Sequence, residues 1–242
     1  MEKNDFLAAV ERESAAFIAA VDGALDYAIP TCGHWTMRDL AGHLGKVWAI
    51  ATANVTAAID APTPPGESGH MPDDDAQIVP WLNERRSAML NTLRATGPEE
   101  AAWSFAPDNQ TAGFWQRRMV HETAVHRWDA ENGLGEARSL DPDLACDGIN
   151  EYLAVGLRYS SGKPNRIYPS ETLHLHRTDG DGEWMLRGNE EQVEVTEEHA
   201  KGDAAVRGSA EALLLWIWGR SDEDVEILGA THAADAWQAV AP

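Results

Sequence analysis

Glu122 and His126 stand four residues apart in the stretch MVHETAVHRWD, so on a helix they project from one face, one turn above the other. Met119 and Asp129 continue that stripe. His43 falls three residues after Leu40 and four before Val47, and the same periodicity turns its imidazole inward with them. A carboxylate facing a core is costly unless it is paired or bound to a metal. The three side chains therefore read as a metal site with mixed nitrogen and oxygen donors. Three protein ligands leave one position of tetrahedral Zn²⁺ open, as catalytic sites do. The plainer reading is that a Glu–x–x–x–His pair arises by chance, that His43 serves a backbone carbonyl, and that Glu122 faces water beside Arg118. Spacing leaves both readings open. His121 also competes with Glu122, because His121, Val125 and Trp128 form an adjacent stripe.

Other reactive residues point less clearly to chemistry. His174 and His176 alternate with Leu173 and Leu175, so both imidazoles share one strand face. A solvated face is the expectation there, with a second metal site as the alternative. The run Asp179-Gly180-Asp181-Gly182 lacks the remaining ligands of a calcium loop and predicts a hairpin turn. Cys32 and His34 could pair as nucleophile and base, but a small buried thiol is expected. Arg117 and Arg118 are expected to serve the surface or to bind an acidic cofactor.

The elements that position these residues follow from hydrophobic spacing. Phe6, Val10, Phe17, Ile18 and Val21 predict a helix from Asp5 to about Ala24. Thr36 and Asp39 form a capping signal for a second helix through Leu40, Leu44, Val47, Ala51 and Val55. The segment APTPPGESGHMPDDD predicts a surface connection. Trp81, Leu82, Met89, Leu90 and Leu93 predict a third helix over Ile78 to Ala95, although Pro80 blurs its start. A fourth spans about Gly113 to Glu131, with Asn132-Gly133 as its stop. Four such helices suggest a bundle, whose interior can hold a site built from facing helices. A fifth helix starts at Asp141-Pro142 and buries Leu144, Ile149, Leu153 and Leu157. The texture then changes to strands over Glu171 to Thr178, Glu183 to Arg187 and Gln192 to Thr196, followed by a compact apolar helix from Ala212 to Trp218. The fold class expected is α+β in two domains, residues 1–150 helical and 151–242 a smaller α+β domain.

The 242 residues carry 40 acidic and 19 basic side chains, a formal charge of −21, which argues against a nucleic-acid partner. The absence of a long apolar run argues against a membrane partner. The charged start MEKNDFLAAVERES is unlike a signal peptide, so a cytoplasmic location is expected. Cys32 and Cys146 are too few and too far apart for a disulfide framework or a zinc knuckle. The ten tryptophans are expected mostly in the core or in pocket walls.

Three stretches carry a family resemblance. HWTMRDLAGHLGKVW, QRRMVHETAVHRWDAE and VRGSAEALLLWIWGR are similar to the mycothiol-dependent maleylpyruvate isomerase family, in both halves of the chain. The resemblance implies a DinB-like four-helix metal-binding domain at the N-terminus, with zinc or another divalent metal on His43, Glu122 and His126. Asp129 would then hold a ligand imidazole through its other nitrogen. It also implies mycothiol as thiol cofactor or co-substrate and a small electrophile as substrate. The reaction implied is cis–trans isomerisation or S-transfer by a metal-activated thiol. Arg220 matches the arginine that this family uses for substrate handling, with Arg207 in reserve. A monomer is expected. The alternatives are a non-catalytic metal- or thiol-binding stress protein and a thiol-independent metal hydrolase.

Overall fold

A computed structural model of the chain describes residues 1–57, 69–159, 167–189 and 192–240. Part of the surface connection expected after the second helix, residues 58–68, lies outside the described residues. The chain divides into two compact units between Ser139 and Leu140.

The first unit is built on four main helices: α1 (Lys3–Val21), α2 (Met37–Thr56), α3 (Ile78–Ala95) and α4 (Ala112–Gly133). Phe6, Val10, Phe17, Ile18 and Val21 of α1 are buried, as the spacing predicts. Thr36 caps α2 through a box in which Asp39 N–H donates to Thr36 Oγ1 and Thr36 N–H donates to Asp39 Oδ2. Pro80 sits in the first turn of α3, where its missing N–H leaves no helical bond unmade. Gly45 of α2 is a close-approach residue, because a Cβ there would lie 2.2 Å from the Trp81 ring. Among the described residues up to 130 the only β pairing is two isolated bridges, Ala28 with Thr36 and Ala101 with Thr111.

Helix α4 is buried around most of its circumference, which a helix packed on one side could not be. It packs against α1 and α2, and it places Arg118, His121, His126, Arg127, Asp129 and Glu131 in the interior. Each of those groups needs a partner in exchange for lost water. Its end differs from the Asn132-Gly133 stop in one respect. The left-handed residue is Gly135, at φ 73°. Gly133 remains helical and is required for closeness instead, since a Cβ would lie 2.9 Å from the Ala28 carbonyl oxygen.

The second unit begins with α5 (Pro142–Glu151), capped by Asp141, which accepts from the Asp143 and Leu144 N–H groups. The helix widens into a π turn over Tyr152–Gly156 and closes with the short α6 (Leu157–Tyr159). Leu144, Ile149, Leu153 and Leu157 are buried. Because α5 packs on α7 (Ala210–Ile217), it belongs to this unit, and the division falls about eleven residues before the expected 150.

The strands β1 (Leu173–Arg177), β2 (Glu183–Gly188), β3 (Val193–Thr196), β4 (Ala204–Gly208) and β5 (Glu226–Gly229) form one mixed sheet in the order β3-β2-β1-β4-β5. Only β1 and β4 run parallel. The Asp179–Gly182 run is a hairpin turn as expected, closed by Arg177 N–H donating to the Gly182 carbonyl. The sequence reading did not anticipate β4, β5 or α8 (Thr231–Gln238). In β4 the alternating residues Ala204, Val206 and Gly208 are small, and β5 is a four-residue edge strand. Neither carries the bulky alternation that marks a strand. Seven tryptophans are buried and Trp35, Trp103 and Trp218 are half-buried. No described helix is long and apolar enough to cross a membrane, and neither cysteine is in a disulfide.

Candidate metal centre

His43 on α2 meets Glu122 and His126 on α4. The His43 Nε2 to Glu122 Oε1 distance is 2.9 Å, and His126 Nε2 lies 3.4 Å from the same oxygen. The His43 and His126 rings meet edge to face with centroids 4.9 Å apart. One donor atom from each of the three residues lies within 4.8 Å of the others. Periodicity within each helix thus puts the donors on inward faces, and the packing of α2 on α4 brings the faces together. His121 is buried but turned away, with its ring against Phe6 of α1. No metal-type group containing His121 occurs among the described residues.

The surroundings orient these donors. His126 Nδ1 is 2.9 Å from Asp129 Oδ2, which leaves Nε2 directed at the site. Asp129 is fully buried and is held in turn by Thr31, whose hydroxyl donates to Oδ1 at 2.5 Å. Cys32 corrects an expectation: its thiol is half-exposed and lies 3.4 Å from Asp129 Oδ2. Arg118 corrects another. It is buried rather than on the surface, and it donates to Glu122 Oε2. Trp35 forms a wall beside His43, with ring centroids 5.1 Å apart. His34 is exposed.

Electrostatics follow from these contacts. Burial alone would raise the Glu122 carboxyl, but Arg118 and the two imidazoles overcome it and hold the group well below the usual carboxylate range. Burial would lower His126, yet its bonds to Asp129, Cys32 and Glu122 raise it well above the ordinary imidazole value. The donor set fits a divalent cation of the zinc class: two imidazole nitrogens and a carboxylate kept ionised, with one imidazole fixed by a buried carboxylate behind it. Arg118 donates to Oε2, while Oε1 faces the imidazoles.

Residues 7–131 match the family described as the mycothiol maleylpyruvate isomerase N-terminal domain. Residues 143–238 match the C-terminal domain of the same family. The chain belongs to the mycothiol maleylpyruvate isomerase family. Two solved structures support the fold at low identity. A crystal structure of the mycothiol-dependent maleylpyruvate isomerase aligns with TM-score 0.59 at 13% identity, covering 94% of this chain and 93% of that one. A point mutant of that enzyme aligns with TM-score 0.60 at 10% identity and the same coverage. No curated protein sequence matches the chain.

The other candidate residues, Arg220, Arg207, His174 and His176, lie in the second unit. Arg220 follows the end of α7 and is half-buried, with its guanidinium 5.8 Å from the Trp218 ring and one N–H donated to the Trp218 carbonyl. Arg207 on β4 is paired with Glu226 at 2.8 Å. His174 corrects the solvated-face expectation, since it is only 6% exposed. With His176 it converges on Glu183 and His199, a grouping of which the sequence reading offered only His174 and His176, as the lesser alternative of a second metal site, and missed Glu183 and His199. One signal was available: His176 and Glu183 flank the Asp-Gly-Asp-Gly turn and are direct partners in the β1–β2 register. Nothing in the local pattern marked His199, Arg118 or the approach of Cys32 to Asp129.

Proposed function

We propose that this chain is a metal-dependent, mycothiol-using enzyme that performs cis–trans isomerisation or S-transfer on a small electrophile. The observation that carries the reading is the convergence of His43, Glu122 and His126 from two helices of a bundle that belongs to this family. When bound, a divalent cation such as Zn²⁺ supplies the charge that favours the thiolate of a thiol cofactor over the thiol.

The chain's own residues prepare that chemistry. Asp129 sets the tautomer of His126 through Nδ1, and Thr31 holds Asp129 in place. Arg118 keeps Glu122 ionised and aims Oε1 between the two imidazoles. Trp35 packs its ring beside His43. Arg220 supplies a planar guanidinium able to grip a substrate carboxylate through two hydrogen bonds.

Cobalt substitution followed by titration with mycothiol tests metal and thiol together. A sulfur-to-cobalt charge-transfer band that saturates with mycothiol, and is lost in His126→Ala, is expected. A cobalt-loaded protein with no such band, and with activity in thiol-free buffer, would replace this reading with metal-assisted hydrolysis.

A further inference from the structure

We propose that His174, His176, Glu183 and His199 form a second divalent-metal site, within the C-terminal unit, that takes a cation of the zinc class and pins the segment after β3 to the β1–β2 hairpin. The donors come from three separate stretches of chain. His174 and His176 share one face of β1, Glu183 opens β2 directly opposite His176, and His199 lies beyond the end of β3. His174 Nε2 is 2.6 Å from Glu183 Oε2, and His176 Nδ1 is 2.6 Å from Oε1. His199 Nδ1 is 3.1 Å from the same Oε1. The three rings surround the carboxylate with centroids 5.2–6.0 Å apart.

Charge and geometry both favour a cation here. The ion-pair partners of Glu183 among the described residues are the three imidazoles. The arginines of the same sheet are engaged elsewhere: Arg177 with Asp179, Arg187 with Glu198 and Arg207 with Glu226. Three imidazole nitrogens and one carboxylate make up a set of four donors, and among the described residues no arginine or lysine pairs with Glu183. All four donor atoms lie within 4.8 Å of one another. Zinc with bonds of about 2.0–2.1 Å needs donors roughly 3.3 Å apart, between the 2.6 Å of the closest pairs and the 4.8 Å that bounds the group, an adjustment that side-chain torsions can supply. Four protein donors close the tetrahedral shell, the pattern of a structural site rather than a catalytic one. His174 forms the buried floor, with a side chain 7% exposed, and His199 the open rim at 75%. The gain from binding is therefore the ordering of the segment that carries His199, because ligands held only in the folded chain convert binding energy into folding energy.

The test uses the full chain with the bundle donors removed by His43→Ala and His126→Ala together. Titration with Co²⁺ should still show about one equivalent with the strong visible bands of tetrahedral cobalt. His199→Ala, which removes an exposed side chain and leaves the core intact, should weaken that binding by about tenfold or more, and Glu183→Gln likewise. Zn²⁺ should also slow amide exchange over residues 197–202 in the unsubstituted chain. Should the bundle variant fold poorly, the unsubstituted chain provides the second measurement, with His199→Ala lowering its Co²⁺ stoichiometry by one. Absence of tetrahedral cobalt in the folded bundle variant overturns the proposal. So does unchanged affinity in both His199→Ala and Glu183→Gln.

Discussion

Glu122 is the residue on which the bundle site turns, because it touches His43, His126 and Arg118 at once. His43→Ala and His126→Ala should each remove most of the metal bound in the bundle, since two remaining ligands hold zinc poorly. His121→Ala should leave that metal in place, because its ring packs on Phe6. Metal analysis of the three purified variants separates these outcomes, and loss of bundle metal in His121→Ala would reverse the assignment. Arg220 is tested independently. Arg220→Lys should leave metal content unchanged and depress turnover of a carboxylate substrate by about 2–3 kcal/mol in activation free energy, the scale of a charge-assisted hydrogen bond. An ammonium cannot reproduce the planar two-bond grip. Unaltered kcat/KM on every carboxylate substrate would leave Arg220 with a role only at the end of α7.

At the scale of elements, α4 is held by a buried ionic network as well as by apolar packing. Arg127 donates to Glu13 of α1 at 2.8 Å, to Glu131 at 2.8 Å and to the Arg138 carbonyl at 2.6 Å. Arg127→Ala would leave the Glu13 and Glu131 carboxylates buried without that partner, at a cost of about 3–5 kcal/mol. Urea unfolding should show a lower midpoint with a similar slope. Replacing both partners of the α1–α4 pair, with Arg127→Met and Glu13→Leu, should recover part of the loss, because no charge in that pair then remains unmatched. A double variant no more stable than Arg127→Ala would mean that the network specifies more than one pair can show. The same helix explains how the site is positioned: burial on most faces fixes its rotation, and that rotation points Glu122 and His126 at α2.

For the whole molecule, the excess of acid is the dominant electrostatic fact. A formal charge of −21 over 242 residues produces self-repulsion in the compact state that salt screens. The buried pairs of α4 are screened less than exposed charges. The thermal midpoint should therefore rise when sodium chloride is increased from low to physiological concentration in metal-free buffer. A falling midpoint would show that exposed ion pairs such as Arg94–Glu11 and Arg187–Glu198 outweigh the net repulsion.

The helices were legible because their signals are local. The capping box at Thr36 and Asp39, the apolar stripe of α3 and the Asp141-Pro142 start of α5 depend on neighbours within a turn or two. The inward stripes of His43 and of Glu122 with His126 were readable for the same reason. Tertiary structure alone decided which stripes would meet. His43 and Glu122 are 79 positions apart, and Thr31 reaches Asp129 across 98. No periodicity spans such separations. Packing also made Arg118 a buried partner of Glu122, turned His121 toward Phe6, and drew Cys32 to Asp129. In the second unit β1 was visible, but only sheet register and the return of the chain after β3 gathered His174, His176, Glu183 and His199. Residue type and spacing determine which donors exist and which way each element presents them. The packing of elements distant in sequence determines which donors share a site.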